Sequence, residues 1–219
     1  MSSSIFICPE NLHPREHSQF LDQEFGFNIS AVEQKLISNE KRGVYSGESR
    51  SWVGVSPHIF QTPYSEIYEF LLYFKNIDFN KVVDIGAGYG RIGIVLNALY
   101  PNCQFVGIEF VEDRVTEAQR VFNSLRLQNA KMLSQNVISP HFVLPVSDIY
   151  FVYDFSDLRD LENLLRKFDI LWDKQEFFIV VRGKALRSLI QNKYPQFWRL
   201  NGAFHNEHWS IYSSHFMFE

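Results

Sequence analysis

The run Val82-Val83-Asp84-Ile85-Gly86-Ala87-Gly88-Tyr89-Gly90 places three glycines at alternate positions, directly after an apolar stretch and directly before an amphipathic one. Glycines so spaced suit a chain that must bend tightly and let a ligand approach bare backbone. Ile92, Val95, Leu96 and Leu99 follow at three- and four-residue steps, so a helix begins at the bend. The unpaired N–H groups at its start favour an anionic ligand group, a phosphate or a carboxylate. The next apolar run, Phe105-Val106-Gly107-Ile108, ends in Glu109, where a carboxylate could accept hydrogen bonds from the ribose hydroxyls of a nucleoside ligand, with the ring of Phe110 next to it in sequence as a candidate base contact. Two ligand classes compete here. Gly88-Tyr89-Gly90-Arg91-Ile92-Gly93 satisfies the dinucleotide pattern G-x-G-x-x-G. In that fingerprint, however, the first glycine ends the strand, and counting from Gly86 puts the third position on Arg91.

The elements that must position these residues follow from periodicity. From Lys81 onward short apolar runs alternate with helical patterns, the signature of a parallel sheet covered by helices on both faces. Strands are expected at 82–85, 105–108, 130–133, 149–153 and 177–181. Their unbroken apolar character fits burial on two sides. Val115, Ala118, Phe122 and Leu125, then Leu158, Leu161, Leu165 and Phe168, then Ala185, Leu186, Leu189 and Ile190 mark further helices. Segments 197–200 and 210–216 flank a polar turn, His205-Asn206-Glu207-His208, and are expected to close the sheet as an antiparallel hairpin of seven strands in all. Residues 1–61 lack the alternation and form an N-terminal extension of helix and loop, with residues 62–219 as the ligand-binding domain. A capping box at Ser30-Ala31-Val32-Glu33 starts a helix there. Residues 43–57 are expected as a loop, and Thr62-Pro63 opens a helix carrying Ile67, Phe70, Leu71 and Phe74.

With 219 residues, 46% of them hydrophobic, the chain can bury a full core, and most of its 21 phenylalanines are expected there. A net charge of −4 argues against a protein drawn to nucleic acid by charge alone. The two cysteines, Cys8 and Cys103, lack the spacing of a zinc site or a disulfide framework, so no metal is expected and a reducing compartment fits. No apolar run approaches membrane-spanning length, and a cytoplasmic protein is expected.

The glycine segment resembles motif I of class I S-adenosylmethionine-dependent methyltransferases, an acidic residue followed by three glycines at alternate positions, here Asp84, Gly86, Gly88 and Gly90, with Ala87 inside the loop. The resemblance spans roughly residues 62–216. It implies a Rossmann-like α/β fold, S-adenosylmethionine as cofactor, and Glu109 as the ribose ligand. Asp84 would either contact the cofactor or fix the loop by accepting its amides. The stretch 129–136 looks like the family's third-strand motif, which assigns adenine contacts to Asn136 and its neighbour Gln135, with an amide where the family more often has Asp. Tyr64 and Glu66 open the helix before motif I, a region that folds over the cofactor in related enzymes. The acceptor site would lie past the fourth strand, making Asp154 the first candidate for base or acceptor orientation and Tyr153 or Phe155 the pocket lining.

That stretch lacks the Asp/Asn-Pro-Pro-Tyr signature of enzymes acting on planar amides and exocyclic adenine amines. Its aromatic rings would suit an ammonium group, so protein nitrogen, above all lysine, is the expected acceptor, by loose similarity to the non-SET lysine methyltransferases. RNA or a small molecule is the alternative acceptor, and a cofactor-binding interaction module without catalysis is the alternative class. Arg182, Lys184, Arg187, Lys193 and Arg199 run without an intervening acid and could meet an anionic substrate or form a solvated helix face. His205 and His208 are expected as exposed turn residues.

Overall fold

The computed structural model describes residues 2–40, 52–153, 155–172, 174–199 and 203–214. The apolar runs become β1 (Lys81–Ile85), β2 (Gln104–Glu109), β3 (Ala130–Ser134), β4 (Ile149–Tyr153) and β5 (Phe178–Arg182), followed by β6 (Ala203–His205) and β7 (Trp209–Ser213). They form one sheet in the order β3-β2-β1-β4-β5-β7-β6. The first five are parallel, and β7 runs antiparallel to both β5 and β6. This is the expected Rossmann-like sheet with its C-terminal hairpin. The first hairpin strand, however, is β6 and not residues 197–200. Gln196–Arg199 are helical (α9), and the Phe197 ring stacks on Trp172 at 4.3 Å, a helix-face contact that its apolar neighbours alone could not distinguish from a strand. Of the second expected strand, residues 215–216 lie outside the described residues.

Side chains alternate across the strands and build two cores. On one face Val82, Phe105, Phe151 and Val180 meet α4 (Tyr64–Leu72), α5 (Arg91–Leu99) and α6 (Glu112–Ser124). On the other, Val83, Ile108, Val152 and Val181 meet α7 (Leu158–Trp172) and α8 (Lys184–Lys193). The N-terminal helices α1 (Pro14–Glu24) and α2 (Ile29–Glu40) bring Leu21, Phe25, Phe27 and Ile29 into the first of these cores, with Phe6 from the 3₁₀ turn before them. Two buried ion pairs fix their position: Arg91 grips Asp22 through Nε at 3.1 Å and through Nη2, and Arg114 Nε donates to Glu33 Oε1 at 2.8 Å. The expected capping box at Ser30 and Glu33 is therefore corrected. The helix starts at Ile29, and the Glu33 carboxylate leaves its own helix to accept from Arg114 and from the Tyr89 hydroxyl at 2.7 Å. The loop expected at 43–57 lies outside the described residues up to position 51, and a short helix α3 starts at Pro57 and ends at Phe60.

Helices α5 and α6 approach the sheet so closely that Gly93, inside α5, has no room for a side chain: a Cβ there would lie 2.6 Å from the Phe105 ring and 2.9 Å from Phe122. Helix propensity alone favours alanine by about 1 kcal/mol. Overpacking two buried rings costs about 1–3 kcal/mol and decides the sign. Gly93→Ala is expected to lower the thermal midpoint, and a variant melting at or above wild type would refute this close packing.

Candidate active site

The bend between β1 and α5 is held by the end of β2. The Gly86 and Ala87 amides both donate to the Ile108 carbonyl, at 2.9 and 3.0 Å. The Gly88 amide donates to Glu109 Oε2 at 2.9 Å, while Glu109 Oε1 accepts from the Val111 amide at 3.0 Å. Gly86 and Gly88 have φ of 80° and 55°, which a side-chain-bearing residue adopts only with strain. A Cβ on Gly86 would sit 3.0 Å from the Phe155 Cβ, whereas one on Gly88 would meet nothing closer than 3.9 Å. Gly88 therefore faces open space, and the Glu109 carboxylate beside it is aimed at the same space.

That space is a cavity of about 470 Å³, lined on one side by Glu109, Phe110, Gln135 and Asn136 and on the other by Tyr153 and Phe155. Trp52 roofs it, its indole N–H donating to the Phe155 carbonyl at 2.9 Å. A second cavity of about 50 Å³ adjoins it across Gly86, Gly88, Phe60, Tyr153 and Arg182. Asp84, Ala87 and Gln61 line this smaller space.

Asp84 is buried and its carboxyl has no hydrogen-bond partner among the described residues; the loop amides it was expected to hold are taken by Ile108 and Glu109. Desolvation, reinforced by the Glu109 charge, raises its pKa from 3.8 to about 8. The Gln61 amide, 7% exposed, likewise leaves both its nitrogen and its oxygen without a partner.

Most of the expected residues converge here. Gly86, Gly88, Glu109, Phe110, Gln135, Asn136 and Tyr153 line the larger cavity, and Asp84 and Ala87 the smaller. The Asn136 side chain accepts from the Ile138 amide at 3.1 Å, which closes a local turn while it lines the wall. Two positions are corrected. Gly90 lines neither cavity; it caps α5 at φ 72°, and a Cβ there would strike Phe122 at 2.7 Å, so its glycine serves packing. Tyr64 is fully buried in the core beside α1, donating to Asp22 at 3.0 Å, because its ring fills the space between Phe6 and Phe25. Asp154 lies outside the described residues.

Several lining residues have no signature in the sequence. Phe60 packs under the Arg114 guanidinium, 4.7 Å from its ring centroid, and Trp52 and Gln61 come from the same N-terminal segment. Arg182 pairs with Glu66 at 2.8 Å and lies 5.0 Å from the centre of the Tyr153 ring. The basic run is largely occupied internally: Arg187 donates to the carbonyls of Asn206 and Glu207, both at 2.9 Å, and Lys193 pairs with Glu162. Lys184, at the head of α8, lines the far end of the larger cavity and has no partner among the described residues. Among those residues no helix is long and apolar enough to cross a membrane.

A parallel sheet with this strand order, and a glycine bend facing a carboxylate on the neighbouring strand, defines a class I S-adenosylmethionine-dependent methyltransferase. Residues 78–192, more than half of the chain, match the model of the methyltransferase domain, and the chain belongs to that family. It is 27% identical over 117 residues to a release factor glutamine methyltransferase of Buchnera aphidicola subsp. Baizongia pistaciae, a match covering 51% of this chain and 42% of that protein. The chain thus spans less than half of that relative. By fold it is similar to a precorrin-6Y C5,15-methyltransferase from Geobacter metallireducens, with TM-score 0.52, 16% identity and coverage of 70% and 89% of the two chains. A second likeness of fold is the protein yhhF of Escherichia coli, with TM-score 0.51, 20% identity and coverage of 73% and 88%.

The enzyme's cofactor is S-adenosylmethionine, and the residues present fit it. Bare backbone at Gly88 opens on a cavity, the Glu109 carboxylate lines the same cavity as a hydrogen-bond acceptor, and Asp84 is a buried carboxyl lacking a cationic partner. A carboxyl with a folded pKa of about 8 against 3.8 unfolded supports the fold fully below pH 3.8 and loses that support as pH rises through about 8. The ligand-free Asp84→Asn variant is therefore expected to melt above wild type by a margin that widens from about pH 5 to about pH 8.5. Parallel melting curves at both values would show that Asp84 is not held in a dehydrated site.

Proposed function

We propose that the enzyme methylates a neutral or anionic acceptor, best a small molecule, held beyond β4 between Phe155 and the head of α8. The observation that carries this is Arg182: clamped by Glu66 through Nε and Nη2, its guanidinium covers the Tyr153 ring, the aromatic face a lysine ammonium would need. Among the described residues, the far end of the cavity adds Lys184 and Arg187 against one acid, Glu207, which disfavours an approaching ammonium there. The protein-lysine reading loses its support there. RNA is disfavoured too, because Arg182, Arg187 and Lys193 already have internal partners. The glutamine specificity of the Buchnera relative would call for an amide-binding signature after β4, and this chain reads Tyr153-Asp154-Phe155-Ser156.

When bound, the cofactor supplies a methyl group on a sulfonium, open to in-line displacement by a lone pair. The chain's own part is to align and to exclude water. Glu109 orients the sugar, Trp52, Phe60 and Phe155 give the cavity an apolar wall, and His208 at its far end offers a base for an acceptor that must lose a proton.

Calorimetric titration of S-adenosylhomocysteine tests the cofactor site. Gly88→Arg and Glu109→Ala are each expected to weaken binding by roughly a hundredfold, in line with losing a charged hydrogen-bond partner or filling the cavity, while both stay folded. The acceptor is tested by labelling cell extract with tritiated S-adenosylmethionine and fractionating by size. Label is expected among small molecules, and methyl-lysine in a protein hydrolysate would overturn the acceptor reading.

A further inference from the structure

Among the described residues four buried side-chain polar atoms lack a hydrogen-bond partner: His17 Nδ1, Trp209 Nε1, and both the nitrogen and the oxygen of Gln61. Trp209 sits among the rings of Phe70, Tyr73 and Phe204, whose faces accept an N–H weakly. His17 lies in the core beneath the N-terminal 3₁₀ turn, with one ring nitrogen serving the backbone of Ile5. Gln61 differs from both. It leaves one donor group and one acceptor bare on the same amide, and it lines a cavity. Leaving a buried polar group unpaired is costly, so an orphaned amide at a cavity wall calls for a ligand.

The surroundings specify the ligand's chemistry. The cavity is walled by Asp84, the Gly86–Gly88 bend, and two arginines whose charges are already matched, Arg91 by Asp22 and Arg182 by Glu66. It opens across Gly86 and Gly88 into the larger cavity, where Glu109 faces the ribose position. A group entering from the nucleoside side therefore meets a carboxyl without a cation, a bare N–H donor and a bare C=O acceptor. An α-amino acid complements all three, with an ammonium for Asp84 and the amide oxygen and a carboxylate for the amide N–H.

We propose that Gln61 reads the α-amino-acid end of the cofactor, so that the N-terminal segment leading into α4 sets the enzyme's selectivity for amino-acid-bearing nucleosides over plain thionucleosides. This rests on the cofactor assignment above. The rival occupant is an ordered water, for which a cavity of about 50 Å³ has room.

The experiment compares S-adenosylhomocysteine with 5′-methylthioadenosine, which lacks the amino-acid end, by calorimetry on wild type and on Gln61→Met, a near-isosteric change that removes both polar atoms. Gln61→Met is expected to bind S-adenosylhomocysteine about 10- to 100-fold more weakly, the worth of charge-assisted hydrogen bonds, with 5′-methylthioadenosine within about twofold of wild type. Free of ligand, the variant is expected to melt a few degrees above wild type, since an unpaired amide has been removed from the interior. Gln61→Ala gives the same ligand comparison if the methionine variant does not fold. An unchanged preference between the two nucleosides in a folded Gln61 variant would assign the amide to water and overturn the proposal. Wild type that binds neither nucleoside would instead strike down the cofactor assignment, and this proposal with it.

Discussion

The carboxyl ends of β1 and β2 are tied together by one carbonyl and one carboxylate, and the site exists because of that tie. Ile108 accepts two amides from the bend, and Glu109, the next residue, accepts a third. The pairing register, Ile85 opposite Ile108, brings these groups level with the bend. A shift of one residue would turn Glu109 to the opposite face and leave the Gly88 amide unmet. The sheet order adds the second condition. The chain runs outward from β1 to β2 and β3, then returns to place β4 on the other side of β1, so a crevice opens at the strand ends where the order reverses. Both cavities lie along that crevice, between the β2 end and the ends of β4 and β5.

The N-terminal helices reach this site through buried charge. Arg114 belongs to α6, the helix that starts just after Glu109, and it binds Glu33 of α2, stacks on Phe60 and stands 3.9 Å from Glu109. Buried ion pairs add little net stability, since desolvation offsets most of their attraction, but breaking one strands the other partner at about 3–5 kcal/mol. Their effect here is geometric. Arg91 with Asp22 and Arg114 with Glu33 fix how α1 and α2 sit against α5 and α6, while Arg182 with Glu66 ties the start of α4 to the end of β5. Residues 52–61, which carry Trp52, Phe60 and Gln61, lead into α4 and line the cavities beside the glycine bend, with Phe60 held against Arg114.

The parts legible in the sequence were those set by local pattern. The strands were readable because residues such as Phe178-Ile179-Val180-Val181 are buried on both faces and need no alternation. The bend was readable because glycine at φ 80° and 55° has few substitutes. What escaped depends on partners distant in the chain. Glu33 looks like a capping residue until Arg114 is placed beside it, 81 positions away. Tyr64 looks like part of a cofactor lid until Asp22 and two phenylalanine rings enclose it. Gly90 belongs to the motif by spacing, yet its glycine answers to its left-handed φ of 72° at the head of α5 and to the Phe122 ring, not to either cavity. The aromatic end of β4 suggested a cage for an ammonium, and only the structure puts an arginine on the Tyr153 ring.

The buried charges around this site are matched, often over long sequence separations: Arg91, Arg114 and Arg182 each have a carboxylate, and Glu109 has two amides. The unmet carboxyl of Asp84 and the unmet amide of Gln61 therefore stand out, and they line the same small cavity. A sequence selected for stability alone would place apolar side chains at both positions, since each would then shed a desolvation penalty. Groups that lower stability in the free protein and acquire partners only when a ligand enters are a means of making that ligand specific: a nucleoside lacking a complementary charge leaves the penalty in place, and one carrying it removes the penalty. On the proposed reading, the same two groups weaken the empty enzyme and select what fills it.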